Sequence, residues 1–408
     1  MSPQQARRRV HRGRLLYVAA TAAVGLFFVA GWVLAAVRTA DPLTVVMGDW
    51  IQFHRVGQRL AAGDWARLYP DAFPPGHHPD FPDGLYFLYP PFALPGTLVF
   101  AGMTLMQAYW ACVAIVLAAG AGMVTLLVRT LRGTTEDGAL IGLGLLASGF
   151  FLGGLALGHL SVLLGLVIAA GLYLHQHSRR SFAAGAVWAL LLVKPNWGIP
   201  LLMLLVVGCR WREVAGFATM GVSLVVVGVL LDHGLWGDWL HMIQEYSDVA
   251  RSATPPHRQV TLFASLQSLL GLSGASGLLQ GLWATSSAAL AVPAAWLWWK
   301  GRRHPDLVRL LAMGIVVILA VNPYAYFYDG VPLVAAAAVW WVSRASYRRL
   351  TWRVIGAVLV FVMVWEHLVI WTDDGSGLPS LAGLAVAVWG LAEIVDLGRW
   401  PTAVESVG

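Results

Sequence analysis

The residues able to do chemistry in this chain stand in short polar segments between long apolar runs. Asp49 is the first of them. It follows Gly48 and opens a segment in which Trp50, Phe53, Gly57 and Leu60 share one helical face, while Gln52, Arg55 and Arg59 fall largely on the other. That spacing predicts a short amphipathic helix lying along a membrane surface. A carboxylate at the start of such a helix either caps it, accepting backbone N–H groups, or is available to take a proton from a substrate. Further along, Lys194-Pro195-Asn196 interrupts an apolar stretch. A lysine there is costly and marks either a functional position or a side chain snorkelling from a helix end. The proline and asparagine beside it argue for irregular backbone lining a cavity.

Other polar groups carry weaker signals. His159 sits between Gly158 and Ser161, at a tight turn between apolar runs, and Gly154 and Gly158 have the spacing of close helix packing. Glu366 and His367 lie near the end of a late apolar run, as a proton relay, the rim of a cavity or a hydrogen-bonded pair joining helices. His77 and His78 with Asp80 and Asp83, and separately His175 with His177, invite comparison with metal sites. A zinc site needs three or four ligands in defined geometry, and neither set offers that pattern. Cys112 and Cys209 are far apart and read as packing residues.

The elements that must position these residues are helices in a bilayer. Of 408 residues, 58% are hydrophobic and only 12% charged, with a mean hydropathy of +0.68. A soluble fold could not bury that much apolar surface beneath so few charges. Twenty tryptophans and 44 glycines suit interfacial anchoring and close helix contact. The net charge of +6 resides in short basic clusters between apolar runs, which sets orientation and does not point to nucleic acid.

Apolar stretches occur near 15–37, 90–128, 139–157, 159–174, 182–208, 214–231, 277–299, 307–321, 329–343, 354–371 and 380–396. At about 20 residues per crossing they predict roughly ten to twelve spans. The first, preceded by five arginines, resembles a signal peptide but is long enough to be an uncleaved helix. Arginine and lysine clusters place Arg129/Arg132, Arg179/Arg180, Arg210/Arg212, Lys300 to Arg309 and Arg344 to Arg353 on the inner side. The connections 38–89, 158–161, 232–260, 322–328 and 372–379 then face outward. Stretch 90–128 is long enough for two crossings but must make one, so part of it is re-entrant or interfacial. Stretch 182–208 starts and ends on the basic side, which two half-length helices meeting at Lys194 would satisfy. No fixed-period repeat is evident, and 1–408 reads as one membrane domain. Its first outer loop is 38–89, and 232–260 forms a second large one, aromatic and polar enough to line a sugar site or to lie as an interfacial helix.

Taken in order, these segments resemble bacterial glycosyltransferase family 87. The resemblance rests on Asp49 in the first loop, Leu68-Tyr69 and Tyr89-Pro90-Pro91, Gly158-His159-Leu160-Ser161 in the place of a Gly-Gln-x-Ser segment, Lys194-Pro195-Asn196 in the place of Lys-Pro-Gln, and Asn322 to Asp329. Histidine at 159 departs from the family's glutamine. The resemblance implies an all-α polytopic membrane protein, a GT-C-like bundle with an amphipathic helix in the first extracytoplasmic loop. It implies inverting transfer of a hexose, mannose in the typical case, from a polyprenyl-phosphate sugar to a lipid-linked or glycan acceptor, with no cofactor. Asp49 would be the general base. Lys194, Arg55, Arg59 and His54 would be candidates for the donor phosphate, and Tyr89, His159, Asn322, Tyr324, Tyr326 and Asp329 for substrate contacts. The rival reading is a transporter or flippase, since interrupted helices and buried lysines occur there too. A structural partner of a polysaccharide assembly is a third.

Overall fold

The computed structural model describes residues 48–65, 68–69, 87–178, 180–253, 259–303, 307–343, 347–371 and 380–399. The expected first span, His77, His78, Asp80, Asp83 and the 372–379 connection lie outside the described residues, as do the side chains of Asp49, Glu366 and His367. The described chain forms 16 α-helices, and an isolated antiparallel bridge between Gln259 and Tyr326 is its extended pairing.

Helix α1 spans Gly48–Ala61. It begins one residue before Asp49, which therefore occupies the first turn and not the capping position. Trp50, Phe53 and Leu60 are buried as the pattern required. Gln52 and His54 are buried as well, and Arg55 and Arg59 are half-buried, so the side expected to be polar is enclosed by protein. Gly57 explains how closely the helix sits: a Cβ there would lie 3.0 Å from the Thr97 carbonyl carbon.

The long stretch after Tyr89 resolves into a short broken piece and one long helix. A 3₁₀ turn at Pro91–Ala93, α2 at Leu94–Thr97 and a second 3₁₀ turn at Leu98–Phe100 precede α3, Leu105–Leu131. Thr104 starts α3 through a reciprocal pair of bonds with Gln107. Thr134 and Asp137 start α4 (Thr135–Ala147) in the same way, and Ser148 starts α5 (Gly149–Leu157) after a 59° bend. Helix α6 is Ser161–Ser178. Helix α7 (Ser181–Trp188) runs into a 3₁₀ segment, Ala189–Val193, stops at Lys194, and resumes as α8, Pro195–Val207. The two half-length helices expected at Lys194 are present.

Helix α9 (Trp211–Leu231) leads to α10 (Leu235–Ala253) and α11 (Leu262–Leu270). The C-terminal group comprises α12 (Gly277–Lys300), α13 (Leu307–Val321), α14 (Pro332–Val342), α15 (Arg349–Trp371) and α16 (Ala382–Leu397). Helices α3 and α9 are long and apolar enough to cross a membrane, and the bent pair α4–α5 makes a third candidate. Several other apolar runs form shorter helices, α6, α8 and α13 among them. The described chain is thus an all-helical membrane protein, with fewer full-length spans than apolar runs.

Several connections that the charge pattern groups together meet one another. At one end Tyr89 meets His159 (3.1 Å), Trp239 Nε1 donates to the Leu88 carbonyl (3.2 Å) and Val260 N–H donates to the Ala325 carbonyl (3.0 Å). Ser380, just beyond the fifth outer connection, donates to the Gln259 carbonyl (3.1 Å). At the basic end His175 pairs with Glu213 at 2.9 Å, and His177 stacks on Tyr173. Among the described residues no group of three His, Cys, Asp or Glu is placed to hold a metal.

Helices α7 and α9 pack closely because glycine faces backbone on both. A Cβ at Gly185 would strike the Glu213 carbonyl, and one at Gly216 the Phe182 carbonyl. Neither obstacle is a flexible side chain. Gly216→Val is therefore expected to destabilise the fold by about 3 kcal/mol or more. Thermal unfolding in detergent, followed by tryptophan fluorescence, checks this, and an unchanged midpoint would show that the two helices can part without cost.

Candidate functional site

The site begins with a helix that cannot continue. Pro195 has no N–H and disfavours helical geometry in the residue before it. Lys194 accordingly adopts φ −123°, ψ 92°, and its carbonyl accepts from Trp197 N–H (2.8 Å) at the start of α8. Close approach seals the break: a Cβ on Gly198 would lie 2.8 Å from Leu192 N. The Lys194 side chain, only 15% exposed, must find polar partners near the junction.

Those partners are specific. The ammonium pairs with Asp329 Oδ1, lies 3.2 Å from His159 Nε2 and sits over the Tyr328 ring, 5.4 Å from its centroid. Asp329 belongs to the 3₁₀ turn Phe327–Gly330, where its Oδ2 accepts from Tyr326 N–H (3.2 Å) and its Oδ1 from Ser161 Oγ (3.0 Å). Tight packing anchors this turn, since Cβ atoms at Gly153 and Gly330 would run into the rings of Phe327 and Phe150.

His159 closes the ring of contacts. It is 4% exposed, stacks on Tyr328 at 3.9 Å and 25°, and has Nδ1 2.7 Å from Ser161 Oγ and Nε2 3.1 Å from Tyr89 OH. Burial, then the neighbouring Lys194 charge, hold its pKa well below the usual histidine value, so the imidazole is neutral. Lys194 Nζ and Tyr89 OH lie against Nε2, Ser161 N–H donates to Nδ1 at 3.1 Å, and Ser161 Oγ, beside the same nitrogen, donates to Asp329 Oδ1.

The turn that carries His159 also meets α1. Gly158 is left-handed at φ +67°, and a Cβ there would be 3.2 Å from Trp50 Cγ. Trp50 is fully buried and meets Phe100 edge-on at 4.1 Å. The backbone of the α1 first turn, which includes Asp49, therefore abuts the residue next to His159.

The sequence candidates divide accordingly. Lys194, His159, Tyr89 and Asp329 come together directly. Tyr326 joins through its amide bond to Asp329 and by stacking on Tyr328 at 5.2 Å, and Tyr324 meets Tyr326 edge-on. Asn322 lies one step further, its Oδ1 accepting from Tyr324 N–H (3.0 Å). His54, Arg55 and Arg59 are not among the Lys194 partners. His54 Nε2 contacts the Met103 carbonyl at 2.9 Å, so its phase on α1 aims it at the start of α3. Ser161, Tyr328 and Asn196 were not singled out as site residues. The alternation Tyr324, Tyr326, Tyr328 was the available signal for the ring under Lys194, and nothing local marked Ser161 as the partner of Asp329, 168 positions away.

Two outcomes follow. Asp329→Ala would leave a largely buried ammonium without its carboxylate and is expected to cost about 3–5 kcal/mol, whereas Asp329→Leu with Lys194→Met recovers most of that loss. Chemical unfolding of the single and double variants decides it, and additive losses would refute the pairing. His159, with its folded pKa depressed, takes up a proton in the unfolded chain near pH 6.5 while remaining neutral when folded. Stability is therefore lost as pH falls below that value. Between pH 7.5 and 5.5 the unfolding midpoint of the native protein should fall relative to His159→Gln, and parallel curves would contradict a buried neutral imidazole.

The model of glycosyltransferase family 87 matches residues 87–323, which is more than half of the chain. The match takes in Tyr89, the Gly158–Ser161 turn, Lys194-Pro195-Asn196 and Asn322; it starts after Asp49 and ends before Tyr324. No curated protein matches the chain. With its all-helical membrane architecture and a buried lysine held at a broken helix, the chain belongs to glycosyltransferase family 87 and is a glycosyltransferase.

Proposed function

We propose that the protein transfers a hexose, mannose in the first instance, from a polyprenyl-phosphate carrier to a lipid-linked or glycan acceptor at the outer face of the cytoplasmic membrane. The observation that carries this reading is the Lys194 ammonium at the junction of α7 and α8, enclosed by Asp329, His159 and Tyr328 and one residue contact from the start of α1. An ammonium has three donors. Asp329 takes one and His159 Nε2 a second, which leaves one for a phosphate oxygen. Asp329 offsets the cost of placing that ammonium among apolar helices, and an ammonium here would stabilise the negative charge that develops on a departing phosphate.

In this reaction the acceptor hydroxyl oxygen forms a bond to the anomeric carbon as the bond from that carbon to the phosphate oxygen breaks. The bonding electrons leave with the polyprenyl phosphate, and Asp49 takes the hydroxyl proton. Direct displacement inverts the anomeric carbon, so a β-linked donor yields an α-linked product, and one carboxylate suffices where a retaining hydrolase needs a close pair. We read the apolar helices as a GT-C-like bundle of about ten to twelve spans, the count expected at about 20 residues each. Gathering of 87–89, 158–161, 259–260 and 322–329 at one end supports a single reaction face. Membership of a glycosyltransferase family favours transfer over transport.

Asp49→Asn is the direct test. In liposomes supplied with polyprenyl-phosphate mannose and a membrane lipid extract, the variant should lose at least about 100-fold in turnover. Turnover equal to that of the native protein would remove Asp49 as the base.

A further inference from the structure

Two buried amides bracket the tyrosine turn: Asn322, a candidate for substrate contact from the sequence, and Gln259, to which nothing so far gives a role. Gln259 is 2% exposed and Asn322 is 4% exposed. Gln259 Oε1, an acceptor, and Asn322 Nδ2, a donor, have no hydrogen-bond partner among the described residues. Buried polar atoms are normally paired, and an unpaired one bears its full desolvation penalty. Both belong to one substructure. Gln259 forms the bridge with Tyr326, Val260 N–H donates to the Ala325 carbonyl, and Asn322 Oδ1 accepts from Tyr324 N–H.

This substructure leads to the cation. Asn196, two residues after Lys194, donates to the Tyr324 carbonyl at 3.4 Å. Tyr324 abuts Tyr326, Tyr326 stacks on Tyr328, and Tyr328 lies beneath Lys194. A ladder of phenol rings thus joins an anion-binding end to an end with an unused acceptor and an unused donor. Aromatic walls with a few oriented polar groups are how proteins hold small polar ligands. A hexose on a phosphate has the matching chemistry: an anionic group at one end and neighbouring hydroxyls, each both donor and acceptor, at the other.

We infer that Gln259 and Asn322 form a hydroxyl-recognising subsite for the hexose, one amide accepting from a sugar hydroxyl and the other donating to one. The inference rests on the transfer reaction proposed above and assigns sugar selection to residues outside the reacting centre. The sugar is that of the donor or of the acceptor, and the chemistry is shared.

The test uses full-length protein in liposomes with a polyprenyl-phosphate hexose and acceptor extract. Gln259→Met should raise KM for one sugar substrate about tenfold, the loss of one hydrogen bond. Its unfolding midpoint should be unchanged or higher, because an apolar side chain of similar length replaces an unpaired acceptor. Singly deoxygenated donors and acceptors then separate recognition from structure. With native protein one deoxy position on one substrate should lose about tenfold, and with Gln259→Met that penalty should vanish. Whether the sensitive sugar is donor or acceptor identifies the occupant. Asn322→Asp, which retains the Oδ1 acceptor for Tyr324, should relax the penalty at a different hydroxyl. Identical deoxy penalties in native and variant proteins overturn the subsite. If native protein transfers from no polyprenyl-phosphate sugar, the preceding proposal fails instead. Binding of methyl hexosides and their deoxy forms, read by tryptophan fluorescence, then decides the subsite alone by the same comparison.

Discussion

An ammonium enclosed by apolar helices demands a carboxylate, and that demand organises the end of the protein where Tyr89, His159 and Asp329 meet. Lys194 is 15% exposed and Asp329 5%, so solvent does little to relieve either charge. Their pairing requires the helix to stop at Lys194 and α13 to end in time for the chain to return as a 3₁₀ turn. It also requires the α5–α6 turn to bring Ser161 within 3.0 Å of the same carboxylate. The glycines under Phe150 and Phe327 serve the same geometry by letting the turn approach the α5 backbone. Removing one charge alone leaves the other stranded, so the elements have little freedom to separate.

A second buried ion group does comparable work away from this site. Arg309, 1% exposed, donates to Asp396 at 2.7 Å and lies over the Tyr347 ring, while Thr351 donates to Asp396 at 3.1 Å and Tyr347 to Glu393 at 3.0 Å. These contacts lock α13 to α16 and to the start of α15. Helix α13 delivers Asn322 at its far end, so the cluster holds the rod that presents the tyrosine turn. One buried cation orders the scaffold, the other the cluster around Asp329.

What could be read from the residues alone was the part whose cause is local. Lys-Pro inside an apolar run forecasts a broken helix, and the break is there. Basic clusters separate the connections into two groups, and hydrogen bonds join the members of one group. The bend at Ser148 is not legible in the same way, because hydropathy continues through it along 139–157. The enclosure of α1 was missed for a related reason. Helical phase shows that Gln52 and His54 are polar, but not that Met103 lies opposite His54. Ser161 and Gln259 gain their meaning from chain segments more than 60 residues away, where no spacing rule reaches.

The contact between Gly158 and Trp50 has a mechanical consequence. With no side chain on Gly158, the α1 first turn rests almost directly on the backbone that leads into His159. A side chain on Gly158 would push the α1 first turn away from the residue beside His159, whose Nε2 lies 3.2 Å from the Lys194 ammonium.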